Sequence, residues 1–262
     1  MLTIPRYPWV KAGLKAFIRQ HDIHKWIIAK ETGRGGYEHY QVRLTTNAGF
    51  ECLKSAFPQA HIEEASEVYE YEKKEGKYWC SDDTNGILRT RYGKLDGIQR
   101  IIHNRVGRQS DRGITTVLDR RGNSGKSFYC RWLFERGKGF YCPPTVDTVK
   151  GLIQFVASGY RGEEIIVIDI PRSWKWSEQL YAAIESIKDG LVYDTRYHTQ
   201  IRDIYGVKVL VLTNTVPKLD KLSIDRWDIL DITDYPRIDH NKKKRGAVSM
   251  TEAPPQPPTS EV

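Results

Sequence analysis

Four cysteines, Cys52, Cys80, Cys130 and Cys142, are all that a chain of 262 residues carries, and no two form a C-x-x-C pair. That excludes a disulfide scaffold and a cysteine zinc finger, and it predicts reduced thiols in an intracellular protein. No apolar run is long enough to span a bilayer, and Lys11, Lys15 and Arg19 interrupt the start where a signal peptide would need an apolar stretch. A soluble protein with no membrane partner is expected. Acidic residues are also in deficit: 33 Asp and Glu stand against 41 Lys and Arg, a net charge of +8. The excess favours a polyanionic partner. Beyond residue 236 apolar residues nearly vanish. Lys242 to Arg245 is basic and Pro254 to Pro258 is extended, so residues 236–262 read as a disordered tail.

What is present divides in two near residue 100. Residues 1 to 5 read as a strand, and Val10, Leu14, Phe17 and Ile18 follow as a helical stripe opened by Pro8 and Trp9. Trp26 to Ala29 and the strand of His39-Tyr40-Gln41-Val42-Arg43-Leu44 flank a Gly-rich turn and form a hairpin. Asn47 can cap a helix carrying Phe50, Leu53 and Phe57, and Ala60 to Glu63 reads as a short strand. Hairpins interleaved with helices predict a small α+β domain on an antiparallel sheet over residues 1–100. Residues 82 to 113 are polar and Arg-rich, with one helix expected around Ile98, Ile101 and Ile102. From 114 the pattern changes to buried strands alternating with helices: Ile114 to Leu118, Ile165 to Ile170 and Val207 to Leu212, with Trp174 to Ile187 helical and Asp228 to Thr233 as an edge strand. This predicts a parallel sheet covered on both faces over residues 101–235.

Two stretches carry chemistry in the first domain. Tyr71-Glu72-Lys73-Lys74-Glu75-Gly76, read as a helix from about 67 to 75 capped by Ser66, sets a phenol and an ammonium on one face. On a strand, His39 and Gln41 share a face while Tyr40 takes the other. A nitrogen and an oxygen donor opposite a Tyr–Lys pair suit a metal-assisted attack on a phosphodiester, with Tyr71 as nucleophile. Tyr69 lies nearly opposite on such a helix, which favours Tyr71. His61-Ile62-Glu63 is a competing pair that reads as structural, and the remaining histidines have no partner spacing.

In the second domain Gly122-Asn123-Ser124-Gly125-Lys126-Ser127 follows a strand and opens a helix, the context of a phosphate loop. Lys126 would reach the β and γ phosphates of ATP, and Ser127 would hold Mg²⁺. Residue 120 is Arg where the usual loop has its first glycine. Asp169 at the end of Ile-Ile-Val-Ile-Asp can serve the magnesium through water. Ile170 stands where a second acid is usual, which leaves Asp194 or Glu178 to orient the attacking water.

The order Thr3-Ile4-Pro5-Arg6, His39-Tyr40-Gln41, Tyr71-x-x-Lys74-x-Gly76 and then the phosphate loop resembles the Rep replication initiators of small circular single-stranded DNA viruses, of the circovirus, nanovirus and smacovirus kind. The resemblance runs over about residues 1 to 233. It implies an HUH-type endonuclease domain followed by a superfamily-3 helicase domain with a P-loop ATPase fold. It implies Mg²⁺ or Mn²⁺ held by His39, Gln41 and an acid, Glu31 in preference to Glu38. Tyr71 would keep the 5′ end of the nicked origin strand, and Lys74 would steady the phosphate or favour the phenolate. Asn214, after the Val-Leu-Val-Leu-Thr strand, is similar to the helicase sensor residue. Arg226 is similar to an arginine supplied across a ring interface, or else makes a surface ion pair with Asp225 or Asp228. The implied partners are single-stranded and origin stem-loop DNA, further copies of the chain in a ring, and host replication proteins. The implied location is the host nucleus for a eukaryotic host, otherwise the cytoplasm. A nucleic-acid-binding ATPase that does not nick is the alternative of a different class.

Overall fold

The computed structural model describes residues 1–66, 68–143, 149–195 and 200–236. In chain order its elements begin with β1 (Leu2–Pro5), α1 (Val10–Gln20), β2 (Lys25–Thr32), β3 (Glu38–Thr45), α2 (Phe50–Ala56), β4 (His61–Ile62) and β5 (Tyr78–Cys80). Two helices follow, α3 (Asn85–Arg91) and α4 (Gly97–Gly107). Next come β6 (Ile114–Leu118), α5 (Lys126–Glu135), β7 (Gly139–Cys142), α6 (Val149–Gly159), β8 (Ile165–Ile170) and α7 (Glu178–Asp189). The described chain closes with β9 (Leu191–Asp194), β10 (Gln200–Asp203), β11 (Lys208–Thr213) and β12 (Trp227–Asp231).

The first five strands make an antiparallel sheet in the order β4-β1-β3-β2-β5. Strand alternation decides its two faces. Leu2, Ile4, Ile28, Tyr40 and Val42 turn to one side, where Val10, Leu14, Phe17 and Ile18 of α1 and Leu53 of α2 close a core. Burial of these large apolar side chains is worth roughly 1.5–3 kcal/mol each. The other face of the central strand β3 carries His39, Gln41 and Arg43, all under a tenth exposed, a row of polar groups that an apolar core could not absorb.

The second sheet is parallel, in the order β12-β6-β11-β8-β7. One side packs on a core that includes Leu152 and Val156 of α6 and Ile184 and Ile187 of α7. The other packs on Ile98, Ile102 and Val106 of α4 and Tyr129 and Leu133 of α5. Register aligns Thr213 with Leu118 and Leu212 with Asp169, so three strands end together at one edge. β9 and β10 form a separate hairpin. The fold is thus mixed α and β, with one antiparallel and one parallel sheet, and no helix among the described residues is long and apolar enough to cross a membrane.

Several local expectations are corrected. The helix expected over 67–75 is a single 3-10 turn at Tyr71–Lys73. The preceding Glu63-Glu64-Ala65-Ser66 lacks an apolar stripe, and Ser66 accepts from Arg43 through its carbonyl and hydroxyl instead of capping a helix. Asn47 does not cap α2; Gly49 precedes the helix with extended backbone. Residues 82 to 113 hold two helices rather than one. Gly93 lies between them, where a Cβ would meet the Arg89 carbonyl oxygen at 2.4 Å. Asp96 and Gln99 then close a capping box on α4. α7 starts at Glu178 with Ser177 as cap, later than Trp174. The tail from 237 onward lies outside the described residues.

Gly76, just past the tyrosine turn, is fixed by two constraints. Its φ is +62°, and a Cβ would sit 2.4 Å from the Arg136 Cα at the end of α5. Left-handed backbone costs a non-glycine residue about 1–2 kcal/mol, and the clash adds about 1–3 kcal/mol. Gly76→Ala should therefore lower the urea midpoint by an amount equivalent to roughly 2–5 kcal/mol. An unchanged midpoint would show that the turn and α5 are not packed together.

Candidate active site

β2 and β3 pair Glu31 with His39 and Ala29 with Gln41, so the acid, the imidazole and the amide share one sheet face. The Glu31 Oε2 lies 3.8 Å from His39 Nε2 and 2.8 Å from Lys74 Nζ. Its Oε1 is buried without a hydrogen-bond partner. His39 Nδ1 is 3.3 Å from the Tyr37 carbonyl oxygen, which can only accept. Nδ1 can donate to that oxygen, and Nε2 is the ring nitrogen that faces Glu31. Gln41 Oε1 accepts from the Thr3 hydroxyl at 2.9 Å. An orphaned buried carboxylate oxygen, a correctly oriented imidazole and an amide oxygen suit a hard divalent cation. Glu38 is elsewhere: its carboxylate is exposed and pairs with Arg6. No group of three or more His, Cys, Asp and Glu that could hold a metal occurs among the described residues.

The tyrosine turn faces these groups and is held from below. Glu72, 1% exposed, accepts from Arg43 Nε at 2.9 Å, and the same oxygen lies 2.8 Å from Arg43 Nη2 in an ion pair. Because 39, 41 and 43 alternate onto one face of β3, the strand that carries the donors also carries the anchor of the turn. Tyr71 itself is 57% exposed, its ring 3.7 Å from Lys74 Nζ. Desolvation pulls the Lys74 ammonium down, but its interactions with Glu31 and Tyr71 outweigh that and leave it above the ordinary lysine value. Tyr69 is set apart, its hydroxyl paired with Thr45 at the far end of β3. His61 is exposed on the edge strand beside Glu63. Sequence reasoning missed Arg43 and Glu72; the signal was the i, i+2, i+4 parity of 39, 41 and 43.

At the other sheet, Asp119 follows β6 and organises the glycine-rich loop. Fully buried, it accepts from Gly122 N at 2.9 Å, Ser124 Oγ at 2.6 Å and Lys126 Nζ at 2.8 Å. Burial opposes its charge, yet Lys126, Ser124 and the Gly122 amide hold the carboxyl far below the usual range. Gly122, Asn123 and Gly125 all have positive φ, a winding that turns successive N–H groups to one side ahead of α5. Ser127 is exposed in the first turn of that helix. Asn214 donates to the Asp119 carbonyl at 2.5 Å. Asp169 accepts from Tyr141 Oη at 3.1 Å, and burial raises its carboxyl against Tyr141 and Lys126. Asp119 and Tyr141 had no assigned role in the sequence, although an acid closing an apolar strand before glycines was the available sign.

Three expectations fare differently here. Arg226 is 4% exposed, and its guanidinium lies 2.8 Å from Glu185 and 2.7 Å from Asp189, both on α7. It is committed within its own chain, and to neither Asp225 nor Asp228, which pair with Arg112 and Arg105. Glu178 is exposed and pairs with Lys221. Asp194 ends β9, in the separate hairpin.

No protein-family profile matches the chain. It is similar to the master replication protein of banana bunchy top virus, 28% identical over 125 residues, 48% of this chain and 41% of that one. It is similar also to that of subterranean clover stunt virus, 26% identical over 132 residues, 50% of this chain and 42% of the relative. The Para-Rep C10 of Milk vetch dwarf C10 alphasatellite is 32% identical over 124 residues, 46% and 42% of the two chains. The chain is related to viral replication proteins. The match spans under half the length of these replication proteins.

Removing either partner of the buried pair strands the other charge, a loss of about 3–5 kcal/mol. Glu72→Ala and Arg43→Ala should each lose that much in chemical denaturation. Glu38→Ala, breaking an exposed pair, should lose no more than about 1 kcal/mol. Equal effects at both sites would contradict the anchoring role.

Proposed function

We propose that this chain is a rolling-circle replication initiator of a single-stranded DNA virus, which nicks and rejoins origin DNA through Tyr71. The observation that carries the reading is the convergence of Glu31, His39 and Gln41 on one sheet face beneath the Tyr71–Lys74 turn. The similarity to viral replication proteins supports it. In the reaction the Tyr71 oxygen bonds to phosphorus as the bond to the departing 3′ oxygen breaks. The phenol proton passes to solvent and the 3′ oxygen takes one up. The product holds the 5′ phosphate on Tyr71 and frees a 3′ hydroxyl to prime synthesis, and the reverse step rejoins the strand. Glu31, His39 and Gln41 would hold Mg²⁺ or Mn²⁺, which supplies Lewis-acid stabilisation of charge on the phosphate. Lys74 shares Glu31 with that site and is placed to meet the phosphate oxygens near Tyr71.

On this reading residues 1–100 are the endonuclease domain and 101–235 a P-loop ATPase of the helicase kind. Asn123, Ser124 and Gly125 would present backbone amides to ATP, with Gly122 shaping the loop through Asp119 and Lys126 on the outer phosphates. Ser127 and Asp169 would serve its magnesium, and Asn214 would sense the γ-phosphate. Ring assembly, host replication partners and action inside the host cell, in the nucleus of a eukaryotic host, belong to the same proposal. Arg226 would act across a ring interface only by giving up its ion pairs with Glu185 and Asp189.

The test is a cleavage assay on an origin stem-loop oligonucleotide with Mg²⁺ or Mn²⁺. Wild type should form a covalent adduct, and Tyr71→Phe should form none while still binding the DNA. Lys126→Ala should reduce ATP hydrolysis on the order of 10²-fold or more and leave nicking intact. An adduct that survives Tyr71→Phe puts the nucleophile elsewhere. DNA-stimulated ATP hydrolysis by wild type without any metal-dependent cleavage would instead establish the non-nicking ATPase.

A further inference from the structure

The back of the first sheet, away from Glu31 and His39, gathers positive charge that the fold itself does not need. Lys11 and Lys15 lie one turn apart on α1, and Lys30 lies on β2 with its side chain on the face opposite its neighbours Ala29 and Glu31. Lys11 Nζ is 3.1 Å and Lys30 Nζ 5.5 Å from the centre of the Trp79 ring on β5. Lys11 is half-buried, and desolvation together with the charges of Lys15 and Lys30 brings its ammonium down to about 8. No carboxylate enters that balance. Like charges one turn apart and a desolvated ammonium oppose folding, and the cation–π contacts offset only part of the cost. Such an arrangement is a mark of a site prepared for an anion.

The kind of anion follows from the indole. Its ring is already covered by Lys11 and stacked on Tyr92 at 5.3 Å, so it is not offered to a nucleobase. What remains open is the charge. The place also matters. Tyr78 and Trp79 are consecutive on the short edge strand β5. Tyr78 packs with Ile27 and Ala29 on the active-site face, and Trp79 packs on the core side. The two faces of the sheet thus meet at β5, with the lysines on one and Tyr78 on the other.

We propose that Lys11 and Lys30, gathered on Trp79, with Lys15 one turn along α1, form a second, sequence-independent DNA contact that binds backbone phosphates flanking the cut. This rests on the reading of the chain as a DNA-nicking protein and adds a site that the chemistry at Tyr71 does not use.

The test measures binding of the full chain to a fluorescent origin hairpin by anisotropy, in EDTA so that nothing is cleaved, over a range of salt. Each lost phosphate contact lowers the slope of log affinity against log salt by roughly 0.7–0.9. Lys11→Gln/Lys30→Gln should therefore flatten the slope by roughly 1.4–1.8 and weaken binding. Its denaturation midpoint should be unchanged or higher, since repulsion is relieved. With metal and saturating short single-stranded oligonucleotide, its rate of adduct formation should match wild type. An unaltered slope and affinity would overturn the proposal, and so would a lost adduct rate at saturating DNA. A wild-type chain that binds the hairpin but forms no adduct refutes the nicking reading instead, and the slope comparison still decides the phosphate contact.

Discussion

The arginine–glutamate pair beneath the tyrosine turn is the constraint on which the rest of the first domain depends. The turn makes one 3-10 winding and is too short to hold itself in place. Its position is set by Glu72, whose buried carboxylate is met by one hydrogen bond and the charge of Arg43. A pair so buried gives little net stability, yet it admits few alternative arrangements, because any other leaves a charge stranded. Since Arg43 stands four residues after His39 on the same strand, the geometry between donors and phenol is inherited from the pleat of β3. A helix in the same place would have brought its own stability; a tethered turn brings precision instead.

A second link joins this turn to the other sheet. α5 begins at Lys126 of the glycine-rich loop and ends at Glu135, a span of ten residues or about 15 Å. At that end Gly76 meets the Arg136 backbone, and Glu135 accepts from Arg91 at 2.8 Å, with Asp83 on the same guanidinium. Arg91 is 2% exposed, and the carboxylates of Asp83 and Glu135 hold its charge against burial. The loop and the tyrosine turn therefore sit at opposite ends of one rigid helix, close-packed at the turn end.

Much of this was legible in the sequence, and the misses have physical reasons. Alternation placed His39 and Gln41 on one face, and the β-branched runs marked the three central strands of the second sheet. The i, i+3 spacing of Tyr71 and Lys74 was read as helical, and the ring and ammonium do lie together, but on a 3-10 turn. Periodicity cannot tell these apart when only one turn is involved and a long-range ion pair decides the outcome. Arg226 shows the opposite failure: a basic residue in a polar stretch looks exposed until tertiary packing buries it against α7. Partners distant in sequence, Arg43 with Glu72 or Lys11 with Trp79, leave no local trace.

The two candidate sites share one electrostatic device. In each, a lysine rests 2.8 Å from a buried carboxylate: Lys74 on Glu31 and Lys126 on Asp119. At Asp119 burial opposes the charge, and Lys126, Ser124 and the Gly122 amide hold the carboxyl low against it. On the proposed function both pairs are waiting for a ligand of opposite demands. With a divalent cation held by Glu31, His39 and Gln41, the Glu31 charge would be met by the ion, and Lys74 would be available to a phosphate beside Tyr71. Phosphates at the loop draw Lys126 away, and Asp119 then keeps Ser124 and the Gly122 amide, which hold the loop's shape. The lysines thus serve as stored counter-charges. Neither buried carboxylate stands without a cation beside it, and on the proposed function each ammonium would pass to the ligand.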